Sequence, residues 1–147
     1  MSEPGNERTV GDVHATASSK GLWARFPARN ELFVDIDSPE QLTRHKSLLS
    51  IFERKQACSA VYTPSPSGLP GRQHCVVTLL DRAVRDEEER LTLQAMLGSD
   101  PTRELLGWIR LRAGVEPAAI TVFFEKPEWM PPAPPPEQET EAEDIAF

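Results

Sequence analysis

Asp35 and Asp37 stand two residues apart in "ELFVDIDSPEQL", Glu31 to Leu42. In an extended chain that spacing puts both carboxylates on one face, with Cα atoms about 6.5–7 Å apart. A pair so placed can bridge divalent cations, the clamp that two-metal phosphoryl transfer needs. A third acid would complete such a metal shell, and a neighbouring histidine or arginine would hold a triphosphate. The plainer alternative is that both acids face water and Asp37 ends the strand or caps the next helix. Asp35 gains nothing from capping, and a mid-strand aspartate is disfavoured.

The elements that must position these residues follow from pattern. Alternation sends Leu32, Val34 and Ile36 one way and Phe33, Asp35 and Asp37 the other. Ser38 as N-cap, Pro39 at N1 and Gln41 at N3 start a helix lasting to about Gln56, with Leu42, His45, Leu49 and Phe52 at helical spacing. "CSAVYT" (Cys58 to Thr63) predicts a second strand, which the loop "PSPSGLPG" ends. "RQHCVVTLL" predicts a third, with Arg72, His74, Val76 and Thr78 on one face.

Asp86 caps a helix over "EEERLTLQAML" that Gly98 stops, and Pro101 opens another with Leu105, Trp108 and Ile109 on one side. "AITVFFE", Ala119 to Glu125, predicts the last strand. The order β-α-β-β-α-α-β fits a split βαβ arrangement, an α+β fold with a four-stranded antiparallel sheet backed by helices. In that topology the first and third strands are neighbours, which sets Asp35 and Asp37 beside His74.

Charge and composition divide the 147 residues into three. Residues 1–30 show no sustained period and read as a flexible N-terminal arm; 31–126 read as a single α+β domain; 127–147 read as a proline-rich linker and acidic tail. All 16 Lys and Arg lie at or before Lys126, whereas six of the 23 acids lie beyond it, so the body carries −1 and the tail −6. A near-neutral body can hold a basic groove, so the acidic total does not exclude nucleic acid. Cys58 and Cys75 have no zinc spacing and read as reduced residues of a cytoplasmic protein. No apolar run approaches the length of a membrane span.

"FVDID", followed by "PSGLPGRQHCVV", resembles the first two motifs of the archaeo-eukaryotic primase superfamily, which includes small primase-polymerases. The resemblance covers about Glu31 to Arg112 and implies an RNA-recognition-motif-like catalytic sheet. It implies Mg2+ or Mn2+ on Asp35, Asp37 and, as the best candidate for the third acid, Asp100. It also implies nucleotide contacts from Ser67, Arg72, His74, Arg110 and Arg112. The chain departs from the family in three ways. The loop between Ser67 and His74 is long, Asp100 precedes a helix rather than lying on a strand, and the additions of larger members are missing. Asp100 before Pro101 also reads as a helix N-cap.

The C-terminal "EQETEAEDIAF" resembles the acidic tip of bacterial single-stranded-DNA-binding proteins, with Asp144, Ile145 and Phe147 as the partner-binding residues. A terminal aromatic fills an apolar pocket while acids steer it to a basic rim. The leading expectation is a small primase-polymerase-like nucleotidyltransferase of replication or repair. Its partners would be a nucleoside triphosphate, single-stranded nucleic acid and a replication protein at the tail. A non-catalytic single-stranded nucleic-acid-binding accessory protein is the alternative, with Phe33, Tyr62 and Arg72 as a stacking platform. A protein-interaction domain without nucleic acid is the third.

Overall fold

Strand alternation decides the centre of the molecule. The computed structural model describes residues 8–126. The elements are α1 (Val10–Ser19), β1 (Trp23–Arg25), β2 (Glu31–Ile36), α2 (Pro39–Phe52), β3 (Cys58–Pro64), β4 (Gln73–Leu79), α3 (Glu87–Met96), α4 (Pro101–Arg112), a 3-10 turn (Pro117–Ala119) and β5 (Phe123–Glu125). Among these residues no helix is long and apolar enough to cross a membrane.

The main sheet is antiparallel in the order β2-β4-β3. One face packs Leu32, Val34, Ile36, Cys75, Val77 and Leu79 against Leu49 and Leu97. The other face buries Phe33 and Val76 beneath Phe123. β2 is therefore apolar on both sides up to Asp35, and that burial makes its register with β4 hard to slip.

Four strands were expected in one sheet, and the molecule has three plus a separate ribbon. β5 pairs antiparallel with β1, Arg25 opposite Phe123 and Trp23 opposite Glu125. The free edge of β2 is already taken by groups from α3 and the α3–α4 turn. Arg90 Nε donates to Glu31 O, Phe33 N–H donates to Gln94 Oε1, Asp35 N–H donates to Ser99 Oγ, and Asp100 N–H donates to Asp35 O. With its backbone groups satisfied in this way, β2 has nothing to offer a further strand. The strand expected over Ala119 to Glu125 is correspondingly short, running only over Phe123–Glu125, with Ala119 ending the 3-10 turn.

The flexible arm expected over 1–30 is also corrected over its described residues, 8–30. Thr9 and Asp12 form a reciprocal capping box that starts α1. Val13 and Ala17 then join Ala24, Leu91, Val115, Ala119 and Ile120 in a second apolar cluster. Residues 1–7 and 127–147, including Asp144, Ile145 and Phe147, lie outside the described residues.

α4 is turned away from its apolar stripe. Leu105, Trp108 and Ile109 are exposed, while Glu104 and Gly107 are buried. Glu104 accepts from Gln94 Nε2 at 2.9 Å and Ser99 Oγ at 2.6 Å, which anchors that side of the helix. Gly107 allows close approach: a Cβ there would meet Leu91 Cδ2 at 2.7 Å. A buried carboxylate with two donors outweighs the pull of a surface leucine.

Candidate active site

The register of β2 and β4 places Asp35 directly opposite His74. Both side chains lie on the face shared with Phe33, and His74 Nε2 is 4.0 Å from Asp35 Oδ1. The neighbourhood expected of Asp35 is therefore present, whereas Asp37 lies just past the last paired residue, Ile36.

Asp100 reaches the same place from the other end of the domain. Its N–H donates to Asp35 O at 2.9 Å, and its carboxylate caps α4 by accepting from Arg103 N–H. Ser38, not Asp37, caps α2, so the Asp37 carboxylate is not spent on that helix. One side chain ties two of these positions to the α3–α4 turn: Gln41 Oε1 accepts from Asp37 N–H, while Nε2 donates to Asp35 O and Gly98 O. Asp35, Asp37 and Asp100 then present carboxylate oxygens all within 4.8 Å of one another. Hard oxygen donors at this separation suit Mg2+ or Mn2+.

Burial marks the pair at the centre. Loss of hydration pushes the Asp35 carboxyl up to about 6, with Asp37 and Asp100 adding repulsion and Arg103 and Arg72 opposing it. Burial also pulls the His74 imidazole down to about 4, helped by the charges of Arg103 and Arg25. Held charges of one sign at close range are costly unless a cation covers them.

Beside the carboxylates lies a cleft of about 330 Å³, lined among others by Asp35, Ser65, Ser67, His74, Arg103 and Lys20. Phe123 forms part of its wall, its ring stacked on His74 at 3.8 Å and on Phe33 at 4.4 Å. The Arg103 guanidinium lies 4.6 Å from the Phe123 centroid and donates to Val122 O at 3.1 Å. Two buried polar atoms find no partner among the described residues, His74 Nδ1 and Arg103 Nη1.

The structure thus gathers Asp35, Asp37, Asp100, Ser67 and His74. Arg72 lines a neighbouring cleft with Tyr62 and Gly71. Arg110 and Arg112 are not among the residues around the carboxylates. Arg112 lies over Trp108 and lines another cleft with Asp86 and Glu88. Arg103 is the cation that reading by sequence missed. It sits in the first turn of the helix that Asp100 begins, whereas Arg110 lies seven residues further, roughly 10 Å along the axis.

The stacking platform expected of the accessory-protein alternative does not form from its named residues. Phe33 is wholly buried, and Tyr62 faces the opposite side of the sheet, its hydroxyl 2.9 Å from His45 Nε2.

No family model, curated protein or solved structure matches this chain.

Proposed function

We infer that this chain is a small metal-dependent nucleotidyltransferase of primase-polymerase type. The observation that carries the reading is the meeting of three carboxylates, from β2 and the residue just past it and from the start of α4, in one cluster whose Asp35 lines the cleft. Asp35, Asp37 and Asp100 would hold Mg2+ or Mn2+. When bound, such ions supply the positive charge that acidifies an attacking hydroxyl and offsets charge on a departing pyrophosphate.

The chain's own residues have separable parts in this. Gln41 and the Asp100 N–H to Asp35 O bond fix the backbone that carries the carboxylates before any ligand arrives, so that ordering is not charged to binding. His74 and Ser67, on β4 and the β3–β4 loop, border the space where a nucleotide's phosphates would lie. The Phe123 wall keeps water from the inner side of His74, whose residue surface is only 8% exposed.

Calorimetry with Mn2+ and a nucleoside triphosphate tests the reading, comparing wild type with the double change Asp35→Ala, Asp37→Ala. Metal-dependent triphosphate binding that disappears in a still-folded double variant supports it and justifies primer-synthesis assays. Absence of binding by the wild type sinks it.

A further inference from the structure

The two partnerless buried atoms lie on residues bordering the same cleft. A buried donor without an acceptor costs roughly 1–3 kcal/mol, so such atoms ask for an explanation. Arg103 Nη1 can only donate, and it needs an oxygen that the protein does not provide. The guanidinium is otherwise anchored: Nη2 donates to Val122 O and its central carbon lies over Phe123. These two contacts hold the fork still while Nη1 is left without a partner. His74 stacks on the same ring, with Nδ1 also unsatisfied.

Charge then restricts what can enter. A bare anion approaching Arg103 meets Asp35, whose ionisation Arg103 itself favours. Lys20, also on the cleft wall, adds a second cation. An anion already chelated to a divalent ion satisfies both sides, its metal meeting the carboxylates and its free oxygens meeting Arg103 and Lys20.

We propose that Arg103 is the anion-binding residue of this cleft and that the ligand class is a metal-chelated polyphosphate, with the Phe123 ring holding the guanidinium in place. The proposal rests on the nucleotidyltransferase reading for its metal, but not for its anion contact. Nη1 is shut off from water, so it meets the ligand when the groups covering it move aside, the guanidinium staying on Phe123.

The test is calorimetry of the full chain with inorganic tripolyphosphate, once with Mn2+ and once in EDTA, with Mn2+ binding measured separately. Wild type binds tripolyphosphate in both conditions and more tightly with Mn2+. Arg103→Gln loses about tenfold or more in both, as expected when a charge-assisted contact goes, while the chain stays folded and Mn2+ binding is retained. Arg103→Lys shows the same loss, because a single ammonium cannot hold Val122 O, lie over Phe123 and meet the ligand together. This variant keeps the charge, so a folding defect in the glutamine variant does not decide the matter. Wild-type-like binding by either folded variant overturns the proposal, as does absence of tripolyphosphate binding by wild type in both conditions. Loss of Mn2+ binding alone, with Arg103-dependent binding intact in EDTA, overturns the metal reading and leaves the anion site standing.

Discussion

Asp35 and His74 face each other across the β2–β4 ladder, and burial moves their proton affinities in opposite directions. Between about pH 4 and pH 6 the folded chain holds a proton on Asp35 that the unfolded chain has lost. Over nearly the same window it lacks a proton on His74 that the unfolded chain has gained. The Asp35 contribution therefore falls as pH rises, and the His74 contribution grows.

The two slopes oppose each other in the wild type, and removing one group exposes the other. Asp35→Asn should gain stability from pH 4 to about 6.5, and His74→Gln should lose it from pH 4 to about 6. Each change amounts to about 2 kcal/mol, a tenfold difference in proton affinity between folded and unfolded chain being worth roughly 1.4 kcal/mol. Urea unfolding in EDTA across this range reads it directly. Glu104 and His45, also shifted by burial, are common to all three proteins. Parallel curves for the two variants would refute the assignment.

Metal should act on the same carboxyl with the opposite sense. Mn2+ favours ionised Asp35, so the rise in thermal midpoint it gives should be full above pH 6 and shrink below it. At saturation each further tenfold in free ion adds about 1.4 kcal/mol. Asp37→Asn should abolish most of the rise while leaving the metal-free midpoint close to wild type. A midpoint equally responsive to Mn2+ in that variant would place the ion elsewhere.

Gln41 joins three backbone groups near the carboxylates, and a leucine of similar shape cannot. Gln41→Leu should cost about 2–4 kcal/mol, because Asp37 N–H, Asp35 O and Gly98 O all lose a partner. Mn2+ affinity in the folded variant should fall as well. A variant with weakened folding and unchanged Mn2+ affinity would show that Gln41 supports the fold alone.

The rotation of α4 is open to a direct comparison. Leu105→Gln and Ile109→Gln, on the exposed stripe, should change stability by no more than about 0.5 kcal/mol. Gly107→Val should cost about 1–3 kcal/mol by forcing Leu91 aside. Reversal of that order would mean that the stripe is the buried face.

Much of this arrangement is legible in the amino-acid order. Period-two alternation gives the faces of β2 and β4, and cap residues give helix starts at Ser38, Asp86 and Asp100, where the structure has them. Asp100 is both a cap and a member of the carboxylate cluster, so those two roles do not exclude each other. α1 escapes a pattern reading although Thr9 and Asp12 carry a capping-box spacing, because only Val13 and Ala17 of the helix are buried and the apolar signal is faint. β1 and β5, three residues each, are too short to show a period. Arg103 and the orientation of α4 depend on a buried polar network around Glu104, and hydrophobic pattern is silent about such networks.

The β1–β5 ribbon gives the molecule a property of time as well as shape. Phe123, which walls the cleft, comes at the end of the described body, while Asp35 and His74 leave the ribosome well before it. At about 5–20 residues per second, the nascent chain spends several seconds with its carboxylates made and its cleft unwalled. Arg103 has no aromatic surface to lie on during that interval. A chain released before Phe123 would carry the acids without that wall of the cleft.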